Sequence, residues 1–400
     1  MTDKGPPAPA ERLHALDLVR ASALLLGIVF HAALPFIPDY EAWLVMDDIR
    51  SRPVAWLAFW LHSFRMPTFF LLAGFFGHMM LGRRGTAGFV RDRARRILAP
   101  LLIFWLPVMI LFGLTMAFAA AIGAVPVPDE PPPLPQLTIE GWPLTHLWFL
   151  YVLLIFYAAT LLGRTAVGAL DRNGRLRSLI DRALAALLGL PFALPVLLAV
   201  PVTALLLRHE GWAEWWGIPT PDVGLVPNAA AFGSFGLAFA LGWLLHRLEG
   251  GLAPLARQWA LHLPVAAAIT VVCLVLTIGA EFAPQLEGDV RAAYASLYAA
   301  SLWLWTFGLI GAALHFIRSE SPRIRYLADA SYWLYIVHLP LIVALEATVA
   351  RWPLPAGIKL VLVVAAGVAI MLATYRWFVR STCIGALLNG RRYPRRVSAV

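Results

Sequence analysis

Long apolar runs constrain this chain more than any other feature of its sequence. Stretches of about 20 apolar residues, enough for a helix to cross a bilayer, recur along all 400 residues. Only 14% of the residues are charged, whereas soluble domains carry about 25%. We therefore predict an all-α polytopic membrane protein. About ten transmembrane helices are expected, over residues 15–36, 54–81, 98–122, 145–163, 183–207, 227–246, 260–280, 292–317, 329–349 and 357–380.

Charged residues outside these spans predict the orientation of the chain. Arginines fall in the loops after the second, fourth and eighth spans and in the C-terminal tail, and the intervening loops are acidic. Because cytoplasmic loops are rich in Lys and Arg, both termini are expected in the cytoplasm and the acidic loops outside. The net charge of +9 then reflects orientation, and no nucleic-acid partner is expected. The chain is interpreted as one transmembrane domain, residues 1–400, with short tails at about 1–14 and 381–400.

Ionisable side chains inside the predicted spans are costly in a bilayer and therefore indicate function. Five of them, from four spans, are expected at a similar depth in the outer half of the membrane: His31, His62, Arg65, His146 and His338. An arginine this far inside a span needs a partner or an anion. The sequence leaves open whether the four spans are neighbours. It also leaves open hydrogen-bonded structural roles for the individual histidines.

Arg20 and His31 lie on nearly the same face of the first helix, because eleven residues make about three turns. They are then about 16 Å apart along the helix axis. This spacing favours a polar path along the helix. In the simpler interpretation, Arg20 reaches the membrane surface and pairs with Asp17.

Two further patterns have both a functional and a structural interpretation. Arg93 and Arg96 lie one turn apart in a basic loop, where they would suit a phosphate group or only fix the topology. In the ninth span Tyr332, Tyr335 and His338 form one helical stripe, which helix packing would also explain. The tryptophans at 212, 215 and 216 are interpreted as an interfacial belt, and the proline-rich outer loop at 125–136 as extended chain.

Four motifs in this order resemble the acyltransferase family three membrane proteins. They are "ALDLVR" with Arg20 and His31, "FRMPTFFLLAGFF" with Ala73 where serine is commoner, the basic loop from Phe89 to Pro100, and "SYWLYIVHLP". "SFRMP" and "HLWFL" are more similar to the branch that modifies osmoregulated periplasmic glucans. The resemblance covers nearly the whole chain, Arg12 to Arg380.

This resemblance implies transfer of an acyl group from cytoplasmic acyl-CoA to a hydroxyl of an extracytoplasmic glycan. The glucan branch implies succinyl transfer in a bacterial inner membrane. Succinyl-CoA or acetyl-CoA would be a substrate, with no permanently bound cofactor and no metal. The partners expected are acyl-CoA, a periplasmic glucan or other envelope glycan, and the bilayer, while a homodimer is left open. The alternatives are O-acetylation of another envelope polysaccharide, a proton-coupled secondary transporter or flippase, and a non-catalytic membrane protein.

Roles for individual residues follow from combining the two lines of reasoning. His31 is expected to act as general base toward the sugar hydroxyl or to form an acyl-imidazole. Arg65 would hold a succinyl carboxylate or stabilise the oxyanion, while Tyr335 and His338 orient the reacting groups. Acyl-CoA would bind at Arg20, Arg93 and Arg96. The supporting residues expected are Asp17, His62, His146, Trp148, Ser331, Tyr332 and Glu346.

Overall fold

The computed structural model describes residues 14–126, 137–277, 282–317, 319 and 321–393. These residues form twelve α-helices joined by short loops, three 3₁₀ turns and two π-helical segments. Most of the 125–136 loop, predicted to be extended, lies outside the described residues. The helices are α1 (His14–Ala33), α2 (Arg52–Arg93), α3 (Ala99–Ala121), α4 (Trp148–Leu170), α5 (Arg175–Gly189), α6 (Ala193–Leu207), α7 (Ala229–Arg247), α8 (Ala253–Leu276), α9 (Gly288–Phe316), α10 (Pro322–Val349), α11 (Ala356–Thr374) and α12 (Cys383–Asn389).

The helices have the lengths and compositions of membrane spans, so the predicted all-α membrane fold is confirmed. Among the described residues, eight helical stretches are long and apolar enough to cross a bilayer, or nine if one bent pair counts as a span. The longest stretch, Arg52–Ala121, has 70 residues and contains both the second and the third predicted spans. Gly85 interrupts it with φ 66°, a conformation that glycine adopts without strain. The orientation of the termini stays a prediction.

Two predicted segments differ from the structure. The fifth span, expected as one helix over 183–207, is the bent pair α5 and α6, which meet at 110°. The sequence between them is Leu190, Pro191 and Phe192, and a proline disfavours the helical conformation of the residue before it. In addition, part of the predicted C-terminal tail forms α12, which packs against α10.

Helices α2 and α7 pack closely because glycines face the opposing backbone. A Cβ atom added at Gly242 would lie 1.8 Å from the Leu71 carbonyl oxygen. One added at Gly74 would lie 1.9 Å from the Phe239 carbonyl oxygen. Small residues at such crossings are typical of membrane helices, where dispersion contacts replace the hydrophobic effect between helices. The contact fixes α2, which contributes more of the cavity-lining side chains than any other helix.

Helix α1 packs against α2, α9, α10 and α11, and α10 also packs against α3. This arrangement makes neighbours of spans that are far apart in sequence. The loop after α1 is fixed by a buried ion pair, in which Lys359 Nζ of α11 lies 2.7 Å from Asp47 Oδ2 and 3.0 Å from the Ala350 carbonyl. The bundle encloses a cavity whose walls come mainly from α1, α2, α3, α4 and α10.

Candidate active site

One cavity of about 1150 Å³ runs through the bundle. Pockets for single drug-sized ligands are commonly about 300–1,000 Å³, so this one is large. We call one end the acidic end; it is bounded by the loops 37–51 and 208–228. We call the other the basic end; Arg93, Arg96, Leu388 and Asn389 line it. The two ends of the cavity therefore differ in chemical character.

Three predicted histidines from three helical segments meet near the acidic end. The ring centroids of His31 and His338 are 5.3 Å apart, and those of His338 and His146 are 5.0 Å apart. His146 and His338 are buried, whereas His31 is partly accessible. Among the residues that the structure describes, no three His, Cys, Asp or Glu side chains are arranged to hold a metal ion. The fold thus makes neighbours of these three histidines, a point that the sequence left open.

Hydrogen bonds to carbonyl groups define which ring nitrogens carry protons. His338 Nδ1 lies 2.7 Å from the Tyr335 carbonyl and His146 Nε2 lies 3.0 Å from the Ile336 carbonyl. Because a carbonyl only accepts, each of these nitrogens donates. The neutral rings then keep a lone pair on His338 Nε2 and on His146 Nδ1. His146 Nδ1 and His31 Nδ1 are both buried without a hydrogen-bond partner among the described residues.

Arg65 projects from α2 toward α1 beside these histidines. Its side chain is buried, at 6% exposure. Its guanidinium carbon lies 4.7 Å from the Phe30 ring centroid, and Nη1 has no hydrogen-bond partner. Within the described residues the Arg65 side chain forms neither a hydrogen bond nor an ion pair. Because a buried cation without a partner is costly, this arrangement favours an anionic ligand.

The loop after α1 places a tryptophan over His31. The rings of Trp43 and His31 are stacked, with centroids 5.7 Å apart and planes 16° apart. Trp43 Nε1 donates to Glu346 Oε2 at 2.9 Å, while Glu346 Oε1 is buried without a partner. The predicted supporting residue Glu346 therefore acts on His31 indirectly, by holding the Trp43 ring that stacks on it. Tyr335 holds the segment that carries His146, since its hydroxyl donates to the His146 carbonyl at 2.6 Å.

Arg20 and Arg93, predicted to bind acyl-CoA, already have protein partners. Arg20 Nη2 lies 3.3 Å from Asp17 Oδ1, as the simpler interpretation of that pair required. Arg20 nevertheless lines the cavity, and its side chain keeps 40% exposure. Arg93 Nη2 lies 2.7 Å from Asp92 Oδ2, and Arg93 Nη1 donates to the Tyr157 hydroxyl at 3.1 Å. The charge of Arg93 is thus partly balanced by Asp92.

Arg96 has a different environment from Arg93. Its guanidinium makes no hydrogen bond or ion pair with any described residue, and it lies against Gly390 at the end of α12, where an added Cβ would be 3.1 Å from Nη2. Its backbone carbonyl accepts from the Tyr332 hydroxyl at 2.7 Å, which anchors Arg96 to α10. Asn389 of α12 also lines this end. Arg96 is therefore the better placed of the two arginines for an incoming anion.

The other predicted supporting residues line the cavity without forming part of the histidine group. The His62 ring stacks on Phe30, with centroids 4.8 Å apart. Trp148 is buried against Phe235. The Ser331 hydroxyl donates to a carbonyl of its own helix, that of Ala328, at 2.8 Å. These contacts shape the wall.

The interpretation of three tryptophans as an interfacial belt is wrong. Trp212 and Trp215 are buried in the protein, at 3% and 4% exposure, and Trp212 Nε1 donates to the Gly217 carbonyl at 2.7 Å. Trp216 lines the cavity at the acidic end. Their loop folds back over the helices, so the three side chains meet protein.

Sequence reasoning missed Phe30, Trp43 and Asp92. Phe30 is an ordinary apolar residue in the sequence, directly before His31. Its importance is visible only from its contacts in the fold, such as that with Arg65. Trp43 lies in a loop whose return over the bundle depends on the buried pair between Asp47 and Lys359. Asp92 had a usable signal, because it is the acidic residue within the run of arginines from Arg91 to Arg96.

Proteins from Escherichia coli resemble this chain over nearly its whole length. The "Glucans biosynthesis protein C" of Escherichia coli strain SMS-3-5 / SECEC is 25% identical over 413 residues, covering 98% of this chain and 97% of that protein. The proteins of the same name from Escherichia coli O9:H4 strain HS and strain SE11 have the same identity and coverage. No solved structure matches the chain. The family profile described as "Acyltransferase domain" matches residues 13–376. The chain therefore belongs to the acyltransferase 3 family of membrane proteins.

Proposed function

We propose that this protein transfers a succinyl group from succinyl-CoA to a hydroxyl of a periplasmic glucan. The family implies an acyl donor and an acceptor, and the printed name of the Escherichia coli relatives supports a glucan as the acceptor. The observation that carries the proposal is that one cavity is lined both by Arg96, whose guanidinium has no hydrogen-bond partner among the described residues, and by the histidine group. Donor and acceptor would enter from opposite ends and meet at the histidines.

The basic end suits the phosphate groups of the donor. The Arg96 guanidinium forms no hydrogen bond or ion pair with a described residue, and Arg93 keeps a buried Nε without a hydrogen-bond partner among them. Arginine forms strong charge-assisted bonds to phosphate. From this end the elongated acyl-CoA would extend past Arg20 toward His31. The two residues share one face of α1 and both line the cavity.

The histidine group suits activation of the acceptor. A sugar hydroxyl attacks a thioester poorly until a base removes its proton. We propose that His31 takes this proton while the hydroxyl oxygen attacks the thioester carbonyl carbon. The C–S bond then breaks, and the CoA thiolate takes the proton from the His31 imidazolium. His338, with a lone pair on Nε2, and Trp43, stacked on the ring, would orient His31 during both steps.

Arg65 supports succinyl as the transferred group. Its buried guanidinium lacks a carboxylate among the described residues, and it lies beside the proposed base. A succinyl group carries a free carboxylate at the end remote from the thioester, and an acetyl group carries none. A charge-assisted bond from Arg65 to this carboxylate would select succinyl-CoA. Stabilising the oxyanion is the competing role for the same side chain.

The charge pattern supports a definite sidedness in a bacterial inner membrane. The arginine-rich loops would face the cytoplasm, where acyl-CoA is made, and the acidic loops would face the periplasm. The basic end of the cavity would then admit the donor, and the acidic end the glucan. This arrangement needs no movement of free acyl-CoA across the membrane.

The test is direct transfer by purified protein in lipid nanodiscs. The protein is given succinyl-CoA labelled in the acyl group and a neutral β-glucan oligosaccharide, and the label on the oligosaccharide is measured. We expect label on the oligosaccharide with wild-type protein, and labelling that is slower by about 10²–10⁴-fold with His31→Ala. Acetyl-CoA as an equally efficient donor would overturn the succinyl assignment. No transfer from either donor would overturn the proposed function.

A further inference from the structure

Aromatic and acidic side chains form the opening of the cavity at the acidic end. Tyr40 and Trp216, from two different loops, pack together with ring centroids 4.5 Å apart. Asp222 lines the same opening. Burial and the nearby Asp222 carboxylate raise the pKa of Tyr40, which places the two side chains in one electrostatic environment. None of the three has a role in the chemistry proposed for the histidines.

The polar atoms at this opening have unused hydrogen-bonding capacity. The Tyr40 hydroxyl forms no hydrogen bond with any described residue. Apart from its own backbone N–H, no described residue donates to the Asp222 carboxylate. Desolvation raises the pKa of Asp222, although the side chain stays accessible from the opening. A ligand that brings hydroxyl donors would satisfy both groups.

The opening is held in shape by its backbone. The Asp222 carbonyl accepts from Thr145 N at 2.9 Å, and Gly224 N donates to the Trp142 carbonyl at 2.9 Å. Gly217, directly after Trp216, has φ 60°, and an added Cβ there would lie 2.0 Å from the Tyr298 hydroxyl. This turn fixes the position of the Trp216 side chain. A preorganised surface binds with a smaller loss of conformational entropy.

The charges at the opening exclude anions. None of the described residues of the two loops that line the cavity is Lys or Arg. Arg50, on the same loop as Tyr40, is engaged by Glu41 at 2.8 Å and by the Pro35 carbonyl at 2.9 Å. Asp222 therefore acts without a neighbouring cation in the lining, and it would repel an anionic molecule.

The opening is continuous with the histidine group. The Trp216 and His62 rings have centroids 6.4 Å apart. Trp43, on the loop that carries Tyr40, stacks on His31 at 5.7 Å. A molecule resting on Tyr40 and Trp216 would thus have its inner end next to His31.

We infer that Tyr40, Trp216 and Asp222 form the binding site for the acceptor and select a neutral carbohydrate. The C–H faces of a sugar ring pack on Tyr40 and Trp216, whose rings combine an apolar face with a polar edge. Sugar hydroxyls donate to Asp222 and bond to the Tyr40 hydroxyl. The negative charge disfavours acidic glycans and glycan units that are already succinylated. This inference rests on the proposed function, since it assigns the acceptor of that transfer.

The experiment measures acyl transfer and acceptor binding separately. Wild-type, Trp216→Ala and Asp222→Asn proteins in nanodiscs are titrated with a neutral β-glucan oligosaccharide and with its uronic-acid analogue. The KM for succinyl-CoA and any hydrolysis of succinyl-CoA without glucan are recorded for each protein. Trp352→Ala and Asp48→Asn are matched controls, because both residues are exposed and neither lines the cavity.

We expect Trp216→Ala to raise the KM and Kd for the neutral oligosaccharide by about tenfold or more, in the range found for aromatic residues at binding hot spots. Its KM for succinyl-CoA should stay close to the wild-type value, because the donor phosphates would bind at the basic end, and a retained donor KM also shows that the variant is folded. Asp222→Asn should narrow the preference for the neutral over the acidic oligosaccharide. The controls should match the wild type.

Two failures are distinguishable. If the wild type acylates the glucan but Trp216→Ala and Asp222→Asn keep its KM and preference, the acceptor assignment is overturned and the proposed function stands. If the wild type acylates no carbohydrate while it still hydrolyses succinyl-CoA, the proposed function is overturned, and this inference with it.

Discussion

Replacing Arg65 by methionine should lower the catalytic efficiency with succinyl-CoA far more than that with acetyl-CoA. Arg65 is 6% exposed and has no carboxylate partner among the described residues. Its whole hydrogen-bonding capacity is therefore available to a ligand. A hydrogen bond to a charged group contributes about 1.5–3 kcal/mol. Since 1.4 kcal/mol is about a tenfold change, kcat/KM for succinyl-CoA should fall by about 10-fold to 150-fold.

The assay compares kcat/KM for the two donors at a fixed concentration of glucan. Methionine preserves much of the length and the packing against Phe30 while removing the charge. Arg65→Lys keeps the charge but loses the two-point contact, so it should fall between wild type and methionine. Arg247→Gln, at an ion pair with Asp181 outside the cavity, reports the general cost of losing an arginine. Equal losses for succinyl-CoA and acetyl-CoA would refute the carboxylate role and favour stabilisation of the oxyanion.

Three further perturbations test other parts of the account. Arg96→Gln should raise the KM for acyl-CoA by about tenfold. Arg93→Gln should raise it less, because Asp92 already pairs with Arg93. Equal effects would contradict the assignment of Arg96 as the main phosphate-binding arginine. Trp43→Phe keeps an aromatic ring over His31 but loses the hydrogen bond to Glu346. Turnover should therefore fall by about two- to twelvefold, with an unchanged KM for acyl-CoA. Unchanged turnover would show that Trp43 does not orient His31. In a background without the native cysteines, an impermeant thiol reagent applied to intact cells should label Glu140→Cys and spare Arg83→Cys; the reverse pattern would invert the proposed sidedness.

Most of the membrane-spanning helices were predictable because each is an apolar run of the right length. The bend between α5 and α6 was not predicted, although the proline at 191 marks its position. Average hydropathy over 183–207 does not distinguish one straight span from two short helices at 110°. Pro191, two residues after Gly189, is the signal that counting spans by hydropathy does not use.

The histidine group was predictable only as a set of depths. Charge alternation gave the direction of each span and hence the level of His31, His146 and His338. Their adjacency depends on α1 packing against α10, which no local pattern encodes. The interpretation of the tryptophans at 212, 215 and 216 as an interfacial belt was wrong for a related reason. A Trp-rich loop has the same composition whether it faces lipid or folds back onto the protein.

The two arginines of the basic loop illustrate the limit of spacing arguments. Arg93 and Arg96 are one turn apart and are chemically identical in sequence. The structure separates them, because Asp92 and Tyr157 bind the Arg93 guanidinium, while the Arg96 guanidinium makes no hydrogen bond with a described residue. Arg93 directly precedes the π-helical segment Ala94–Leu98 and Arg96 lies within it, so a regular α-helical turn does not relate the two side chains. A local distortion of this kind is invisible in a regular helical projection.

The central claim is that His31 is the base that activates the acceptor, and His31→Gln tests it most directly. Glutamine keeps a hydrogen-bonding side chain but cannot take a proton at neutral pH. Turnover and acyl-CoA affinity are measured for wild type, His31→Gln and His31→Ala in nanodiscs. We expect both variants to lose about 10²–10⁴-fold in turnover and to bind acyl-CoA as the wild type does, because its phosphates would bind at the opposite end of the cavity. Near-normal turnover of His31→Gln would contradict the claim and make His338 the next residue to test.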